Sequence, residues 1–322
     1  MRNDAINVGD LEPVEGKPLL LDVRGNGAKV LDWAQDNQES VRRLVAENGA
    51  LLIRGLRLLG SKQFGSLLST LFGSELLHYR YRSTPRTELR ENVYTATEYP
   101  AHEVIPQHNE NSYSRIWPHR IGFFCMLPSK TGGETPIADS CAVYNRIDSK
   151  VRAEFERKGV MYVRNYSDLD LPWTEVFQTQ DRAEVERYCG ENDIEYEWLG
   201  ETRLRTKQVN SATMLHADTN MHVWFNQAHL FHVSALPLDI RVALIDSLGE
   251  EYLPRNCFFG DGSEIDPGYL DVIRKAYEET KIKFKWEQND LLLLDNARYS
   301  HGRETFTGER RILTGMACAN TA

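Results

Sequence analysis

The chain is poor in cysteine and has no long apolar run and no phosphate-cradling loop, and each shortage removes a class of protein. Its five cysteines, Cys125, Cys141, Cys189, Cys257 and Cys318, form an odd set with no CxxC pair. Such a set speaks against a disulfide framework or a cysteine zinc site and suits reduced thiols. No apolar stretch approaches the roughly 20 residues needed to span a bilayer. The amino-terminal stretch MRNDAINVGDLEPVEG is polar and has no signal-peptide core. A cytoplasmic protein with no membrane partner is therefore expected. Basic residues are also in the minority, 38 Lys and Arg against 47 Asp and Glu, for a net charge of −9. Phosphate backbones are bound by clustered cations, so no nucleic-acid partner is expected. GxGxxG, GxxxxGK[ST] and GxSxG are all absent, which removes the usual dinucleotide, P-loop and serine-hydrolase readings.

What remains is an ordinary globular composition, 41% hydrophobic and 26% charged over 322 residues. That is enough chain to bury a sizeable core. Residues 29–48 space Val30, Trp33, Val41, Leu44 and Val45 along one helical face, with Gly49 at the stop. GALLIRGL (49–56) reads as a buried strand and 61–73 as a second helix closed by Gly73. From 76 to 140 the pattern is a series of short strands and loops. Helices are expected near 148–158 and 181–192, and two strands about a glycine turn over 196–209. MHVWFNQ (221–227) reads as a further strand entered through the turn-prone Asp218-Thr219-Asn220. Asp266-Pro267 caps a helix reaching about Glu279, and 283–296 and 310–317 are the last strands. Strands do not alternate regularly with helices, which disfavours a doubly wound parallel sheet. The expected fold is α+β with a mainly β core, an antiparallel barrel or jelly roll carrying flanking helices. One domain over 1–322 is expected, with a helix-and-strand amino-terminal part at about 29–75 and a helical insertion at about 145–195.

The segment IPQHNENSY (105–113) sets His108 and Glu110 two residues apart. On a strand both would face one side and Asn109 the other, so the pair could reach a single metal. His301, after the apolar run LLLLDNARYS, supplies a third ligand. Two histidines and one carboxylate on one face leave open positions for a cosubstrate and oxygen, as in non-haem iron(II) oxygenases. Zinc hydrolases use the same set, so the triad alone does not name the metal. A rival pair exists in His216 and Asp218, and spacing alone does not choose between them. Arg311, ten residues beyond His301, could fork onto the far carboxylate of a dicarboxylate cosubstrate. Its neighbour Arg310 must face the opposite way on a strand, so only one of the two can do so. Tyr113 and Asn226 are candidate substrate contacts, with core packing the competing reading for each. Trp224 and Phe225 read as core, and His78, His102, His119, His222, His229 and His232 have no supporting constellation.

HNE (108–110), GGETPIADS (132–140) and HGRETFTGERRIL (301–313), in that order, closely resemble the taurine dioxygenase-like TauD/TfdA family of Fe(II)- and 2-oxoglutarate-dependent oxygenases. GALLIRGL resembles the family's early strand, and HADTNMHVWFN (216–226) falls where the family carries a hairpin. NENSY, VRNY (163–166), WTEVFQT (173–179), LPRN (253–256) and FFGDGSEI (258–265) resemble the syringomycin-cluster hydroxylase branch, linked with natural-product assembly. The resemblance spans about residues 40–318. It implies a double-stranded β-helix, with His108, Glu110 and His301 as iron ligands. Thr135 would hydrogen-bond 2-oxoglutarate and Arg311 would clamp its far carboxylate. Taurine-oxidising members hold the sulfonate with a second arginine four residues after the clamp, where this chain has Gly315, so taurine is not the expected substrate. Halogenating relatives lack the carboxylate ligand, which Glu110 supplies here, so hydroxylation is expected. Epoxidation or desaturation would use the same oxidant. The implied cofactor is Fe(II), with 2-oxoglutarate and O2 as cosubstrates. The implied substrate is an amino acid or amino-acid-derived unit, free or presented by a carrier protein. A zinc hydrolase and a non-catalytic barrel scaffold are the alternatives of another class.

Overall fold

The computed structural model describes residues 11, 14, 16–24, 29–78, 81, 83–167 and 169–321. Its main element is a seven-stranded sheet in the order Leu19–Asp22, Ala50–Arg54, Leu291–Asp295, Ile116–Leu127, Arg311–Thr321, Val93–Thr95, Glu88–Arg90. Every pairing is antiparallel except that of the first two strands. The run LLLL at 291–294 shows why this sheet needs cover on both sides. Leu291 and Leu293 pack with Leu51, Ile53, Phe124 and Leu313 under the two amino-terminal helices. Leu292 and Leu294 pack with Leu52, Ile121, Phe123 and Ile312 on the opposite, inner face. A strand buried on both faces has no reason to alternate, so it reads as continuous leucine.

The helices Val30–Asn48 and Ser61–Phe72 cover the outer face with Val41, Leu44, Val45, Phe64, Leu67 and Leu68. The first ends at Gly49, whose φ of 75° is left-handed and whose N–H closes on Val45 O. Leu68 sits directly on the sheet over the paired glycines Gly122 and Gly315. A β-carbon on Gly122 would stand 2.4 Å from Leu68 Cδ2, and one on Gly315 2.7 Å from Leu68 Cδ1.

Two smaller sheets accompany the main sheet, and the three-stranded one shares a cavity with Phe123 and Ile312 of the inner face. One is four-stranded, in the order Glu195–Leu199, Arg203–Asn210, Val160–Tyr166, Arg255–Phe259. The other is three-stranded, with Tyr299–Arg303 between Ile105–His108 and Ile137–Asp139. Together with the main sheet they make the β-rich jelly-roll core with flanking helices that the sequence led us to expect.

Several elements depart from expectation. The stretch 76–140 contains a twelve-residue central strand, Ile116–Leu127, rather than only short pieces. Pro118, His119, Arg120 and Gly122 break its apolar pattern, yet Pro118 and Gly122 keep register with Ala319 and Gly315. Of 283–296 only Leu291–Asp295 is strand, because a turn at Glu287–Asp290 with Asn289 at φ 70° precedes it. The stretch 145–195 carries its helices, but it also supplies Val160–Tyr166, an inner strand of the four-stranded sheet. The helix Leu238–Leu248 was not foreseen; none of its residues is buried, so no apolar face marks it. Asp266 does cap Pro267–Thr280, accepting from the Gly268 N–H at 2.8 Å.

His229 joins this last helix to the core. Its ring stacks on Tyr277 with centroids 4.6 Å apart, and its Nε2–H donates to Gln107 O at 3.0 Å. Burial pulls the His229 imidazole down to about 3 and that of His232 to about 4, from an ordinary 6.5. Both are neutral in the folded protein at pH 6.5, while the unfolded chain protonates them as pH falls. Stability is therefore lost as pH drops from 6.5 toward 4. In urea titrations His229→Asn should flatten that slope. Gly122→Val should cost about 1–3 kcal/mol by driving a side chain into Leu68, measured as a lower urea midpoint.

Candidate iron and cosubstrate site

The three-stranded sheet brings the two histidines together. His108 is the last residue of its strand and stands directly opposite His301, with ring centroids 4.7 Å apart. The strand ends there, so Glu110 lies in the following turn rather than on the ladder. Its side chain nonetheless returns to the histidines, and the ligand atoms of His108, Glu110 and His301 all lie within 4.8 Å of one another. Asn109 points away, donating to Ser140 Oγ at 3.0 Å and Asn296 O at 2.7 Å.

The protonation states suit a metal. A carbonyl only accepts, so the 2.8 Å contact of His108 Nδ1 with Pro106 O fixes the proton on Nδ1 and leaves a lone pair on Nε2. Burial lowers the His108 imidazole to about 4, keeping it neutral at pH 7. Burial alone would raise the Glu110 carboxyl, but the Arg86 guanidinium and the His301 ring outweigh it and hold the group well below the usual range. Arg86 Nη2 donates to Glu110 Oε2 at 2.7 Å, and His301 Nε2 lies 3.5 Å from the same oxygen. Ligands about 2.0–2.2 Å from one metal stand about 3–3.5 Å apart, so little movement is needed to close the set. His301 Nδ1 is buried without a protein partner. Two imidazoles and one carboxylate fit a divalent iron.

The same cavity carries a place for a dicarboxylate. Trp286 Nε1–H donates to Thr135 Oγ1 at 3.1 Å, which frees the Thr135 hydroxyl hydrogen for a ligand oxygen. Arg310 lines the cavity with Thr135, its Nε donating to Gly133 O at 2.9 Å and its Nη2 3.4 Å from Thr135 Oγ1. Burial, with Arg303 nearby, brings Arg310 down to about 10, so it stays charged at neutral pH.

Of the two neighbouring arginines, the structure brings Arg310 and not the expected Arg311 to this cavity. Ile312, Thr314 and Met316 turn to the inner side while Leu313 and Ala317 turn to the helices. Arg311 has the parity of Leu313 and lies exposed, whereas Arg310 has the parity of Ile312 and faces the cavity. The position four residues after the clamp is then Thr314, not Gly315, which lies under Leu68. Neither is an arginine, so the argument against taurine stands.

Both candidate substrate contacts also move. Tyr113 is buried among Tyr81, Tyr162 and Phe231, its hydroxyl donating to Tyr81 O at 2.7 Å. Asn226 is fully buried and bridges Ala212 O and the Ala228 N–H. Each is core, away from the histidines. Sequence reasoning missed Arg86, Arg303 and Asn296, which no periodicity singles out. Arg303 donates to Tyr99 O, Pro100 O and Glu103 O, pinning the loop that enters the His108 strand.

The rival pair is resolved by its own hydrogen bonds. His216, Asp218, His119 and Asp295 do cluster. The Thr219 N–H reaches His216 Nδ1 at 3.3 Å, so Nδ1 accepts and Nε2 carries the proton that it donates to Asp295 Oδ2 at 3.1 Å. A protonated nitrogen has no lone pair for a metal. His119 and Arg120 approach the same oxygen, and Arg120 is the cluster's cation. Asp218 lies in the turn between the paired strands Thr213–Leu215 and His222–Trp224, as expected.

A jelly roll with two histidines and a carboxylate at its inner mouth, beside a buried arginine and threonine, defines a mononuclear iron, 2-oxoglutarate-dependent oxygenase. Comparison with known proteins agrees: residues 11–317 match the family "Taurine catabolism dioxygenase TauD, TfdA family", and the chain belongs to it. It is an oxidoreductase using Fe(II), 2-oxoglutarate and O2. The dapdiamide synthesis protein DdaC of Enterobacter agglomerans is 44% identical over 277 residues, covering 86% of this chain and 84% of that one. A clavaminate synthase-like protein of Arabidopsis thaliana is 29% identical over 286 residues, covering 85% and 82%. Among solved structures, PvcB of Pseudomonas aeruginosa shares the fold with a TM-score of 0.55 at 15% identity, over 94% of this chain and 85% of that one. No helix among the described residues is long and apolar enough to cross a membrane.

Arg310→Ala should weaken 2-oxoglutarate binding by about tenfold to a hundredfold, the worth of a hydrogen-bonded charge pair of about 1.5–3 kcal/mol. Arg311→Ala should leave it within about twofold, the small effect of an exposed charge. Anaerobic titration of the iron-loaded protein with 2-oxoglutarate, followed by its visible charge-transfer band, measures both.

Proposed function

We propose that the chain hydroxylates an unactivated carbon of an amino acid or amino-acid-derived substrate in natural-product biosynthesis. The single observation that carries the oxygenation chemistry is the retained carboxylate at Glu110, buried beside both histidines and held by Arg86. The 44% identity to a dapdiamide synthesis protein supports the biosynthetic setting. Presentation of the substrate on a carrier protein is consistent with the same resemblance and forms part of the test.

Iron bound by His108, Glu110 and His301 would supply oxygen activation, coupled to oxidative decarboxylation of 2-oxoglutarate to succinate and carbon dioxide. The rest is the work of the chain's own groups. Arg310 holds the far carboxylate of 2-oxoglutarate in a charge-assisted fork, and Thr135 donates its hydroxyl hydrogen. The Phe123 ring, 4.9 Å from the His301 ring, walls one side and limits water. Besides Glu110, the charged groups lining the cavity are Arg86, Arg303 and Arg310. A hydrolase would want a second carboxylate or a free histidine there as general base. Arg86 is held by Glu110 and Arg303 by backbone carbonyls, so Arg310 is the guanidinium placed to serve an anionic cosubstrate.

The test is iron-dependent conversion of 2-oxoglutarate to succinate in the presence of candidate amino acids, free and carrier-loaded, with products screened by mass. We expect a product heavier by one oxygen atom. Glu110→Ala should lose at least about a hundredfold in succinate formation, more than the loss of a supporting residue costs. A folded, iron-binding wild type that leaves 2-oxoglutarate intact with every substrate would overturn the reading. Loss of two hydrogens from the substrate, without oxygen gain, would replace hydroxylation by desaturation.

A further inference from the structure

We propose that Asn296 is the positioning residue that fixes Glu110 against His301, an inference resting on the reading of both as metal ligands. The difficulty it solves is geometric. Cross-strand pairing between the two ligand segments reaches His108 and His301, and Glu110 lies in the turn beyond that pair. Asn296 meets its backbone there. Its Oδ1 accepts the Glu110 N–H at 2.7 Å, and its Nδ2 donates to Glu110 O at 2.9 Å. One side-chain amide thus grips both polar atoms of the Glu110 residue, as an opposing strand residue would.

The grip is anchored on every side. Asn296 is fully buried, and its Nδ2 also donates to Pro118 O at 2.8 Å. Its own N–H donates to His119 O at 2.9 Å, and its carbonyl accepts from Asn109 Nδ2 at 2.7 Å. The next two residues are turned by Asp295, whose Oδ1 accepts the N–H groups of Ala297 and Arg298 at 3.0 and 3.2 Å. That turn leads straight into Tyr299–Arg303, the strand bearing His301. Asn296 therefore ties two ligands from distant parts of the sequence to one short rigid connection. Only a carboxamide offers both the acceptor and the donors that this position uses; an ionised aspartate only accepts.

The test compares the full-length wild type with Asn296→Asp, Asn296→Ala and Asn256→Ala. Asn256 is another buried asparagine bridging backbone N–H groups, those of Val233 and Cys257, away from the ligands. Affinity for Fe(II), and for Co(II) as a spectroscopic probe, is measured anaerobically, together with melting temperature with and without metal. We expect both Asn296 variants to bind metal about 10–100-fold more weakly, the usual cost of losing a group that orients a ligand. Their metal-induced rise in melting temperature should shrink accordingly. Asn256→Ala should lower the melting temperature and keep the wild-type metal affinity. Wild-type affinity in folded Asn296 variants would overturn the proposal and leave Asn296 a fold-stabilising residue.

Hydrogen exchange in the metal-free wild type tests the same point without a variant. The Glu110 amide should be protected before metal is added, and its exchange at the rate of an open turn would equally overturn the proposal. A wild type that binds neither metal nor 2-oxoglutarate would instead remove the iron reading on which the inference rests.

Discussion

The structure depends on a sheet that must be covered on both faces. Leu291–Leu294 cannot be left exposed on either side, so the chain spends its amino-terminal helices on one face and its three-stranded sheet on the other. The cavity between the main sheet and the ligand strands follows from that requirement. So does its lining: Phe123 and Ile312 are inner-face residues of the main sheet, while His108 and His301 belong to the opposing strands. The end of the leucine strand is also where the site begins, since Asp295 and Asn296 follow directly and His301 lies on the next strand.

Charge inside this cavity is unbalanced by design of its lining. Arg86, Arg303 and Arg310 line it, and Glu110 pairs with Arg86. Arg303 is occupied by three backbone carbonyls and Arg86 by Glu110 itself. Among the described residues Arg310 hydrogen-bonds to the neutral oxygens of Gly133 and Thr135. On the proposed function that guanidinium would meet the far carboxylate of 2-oxoglutarate, and burial would make the pairing stronger than it is in water. By contrast Asp295 already has Arg120 as its cation and accepts the Nε2 proton of His216, which leaves that nitrogen no lone pair for a metal.

Much of this was legible in the sequence because the signals were local. The first two helices carry a 3.6-residue apolar face, Asp266-Pro267 is a cap, and His108 with Glu110 is a spacing of two. What was not legible depended on contacts between distant segments. Arg310 and Arg311 are adjacent cations, and only the parity of Ile312 and Leu313 against the two faces of the sheet decides between them. Reading 312 as inner and 313 as outer would have required knowing which face the helices cover. Tyr113 stands close after the metal pair and Asn226 ends a candidate strand, yet their polar atoms satisfy backbone groups in the core. Asn296 sits in a DN dipeptide that looks like any turn, and its significance lies wholly in the Glu110 peptide it meets. The long central strand was hidden by Pro118 and Gly122, whose places are explained by Asn296 on one side and Leu68 on the other.

The strand order carries a further consequence for how the molecule comes into being. Ile116–Leu127 has two sheet neighbours, Leu291–Asp295 and Arg311–Thr321, and both are made long after it during synthesis. Ala50–Arg54 likewise has only the short Leu19–Asp22 beside it until Leu291–Asp295 emerges. A ribosome-bound chain lacking its final strands holds the apolar residues of both early strands without the central partners that join them. The main sheet therefore closes only once Arg311–Thr321 has been made. Until then the nascent chain exposes leucine-rich strand edges, the kind of surface that holdase chaperones recognise.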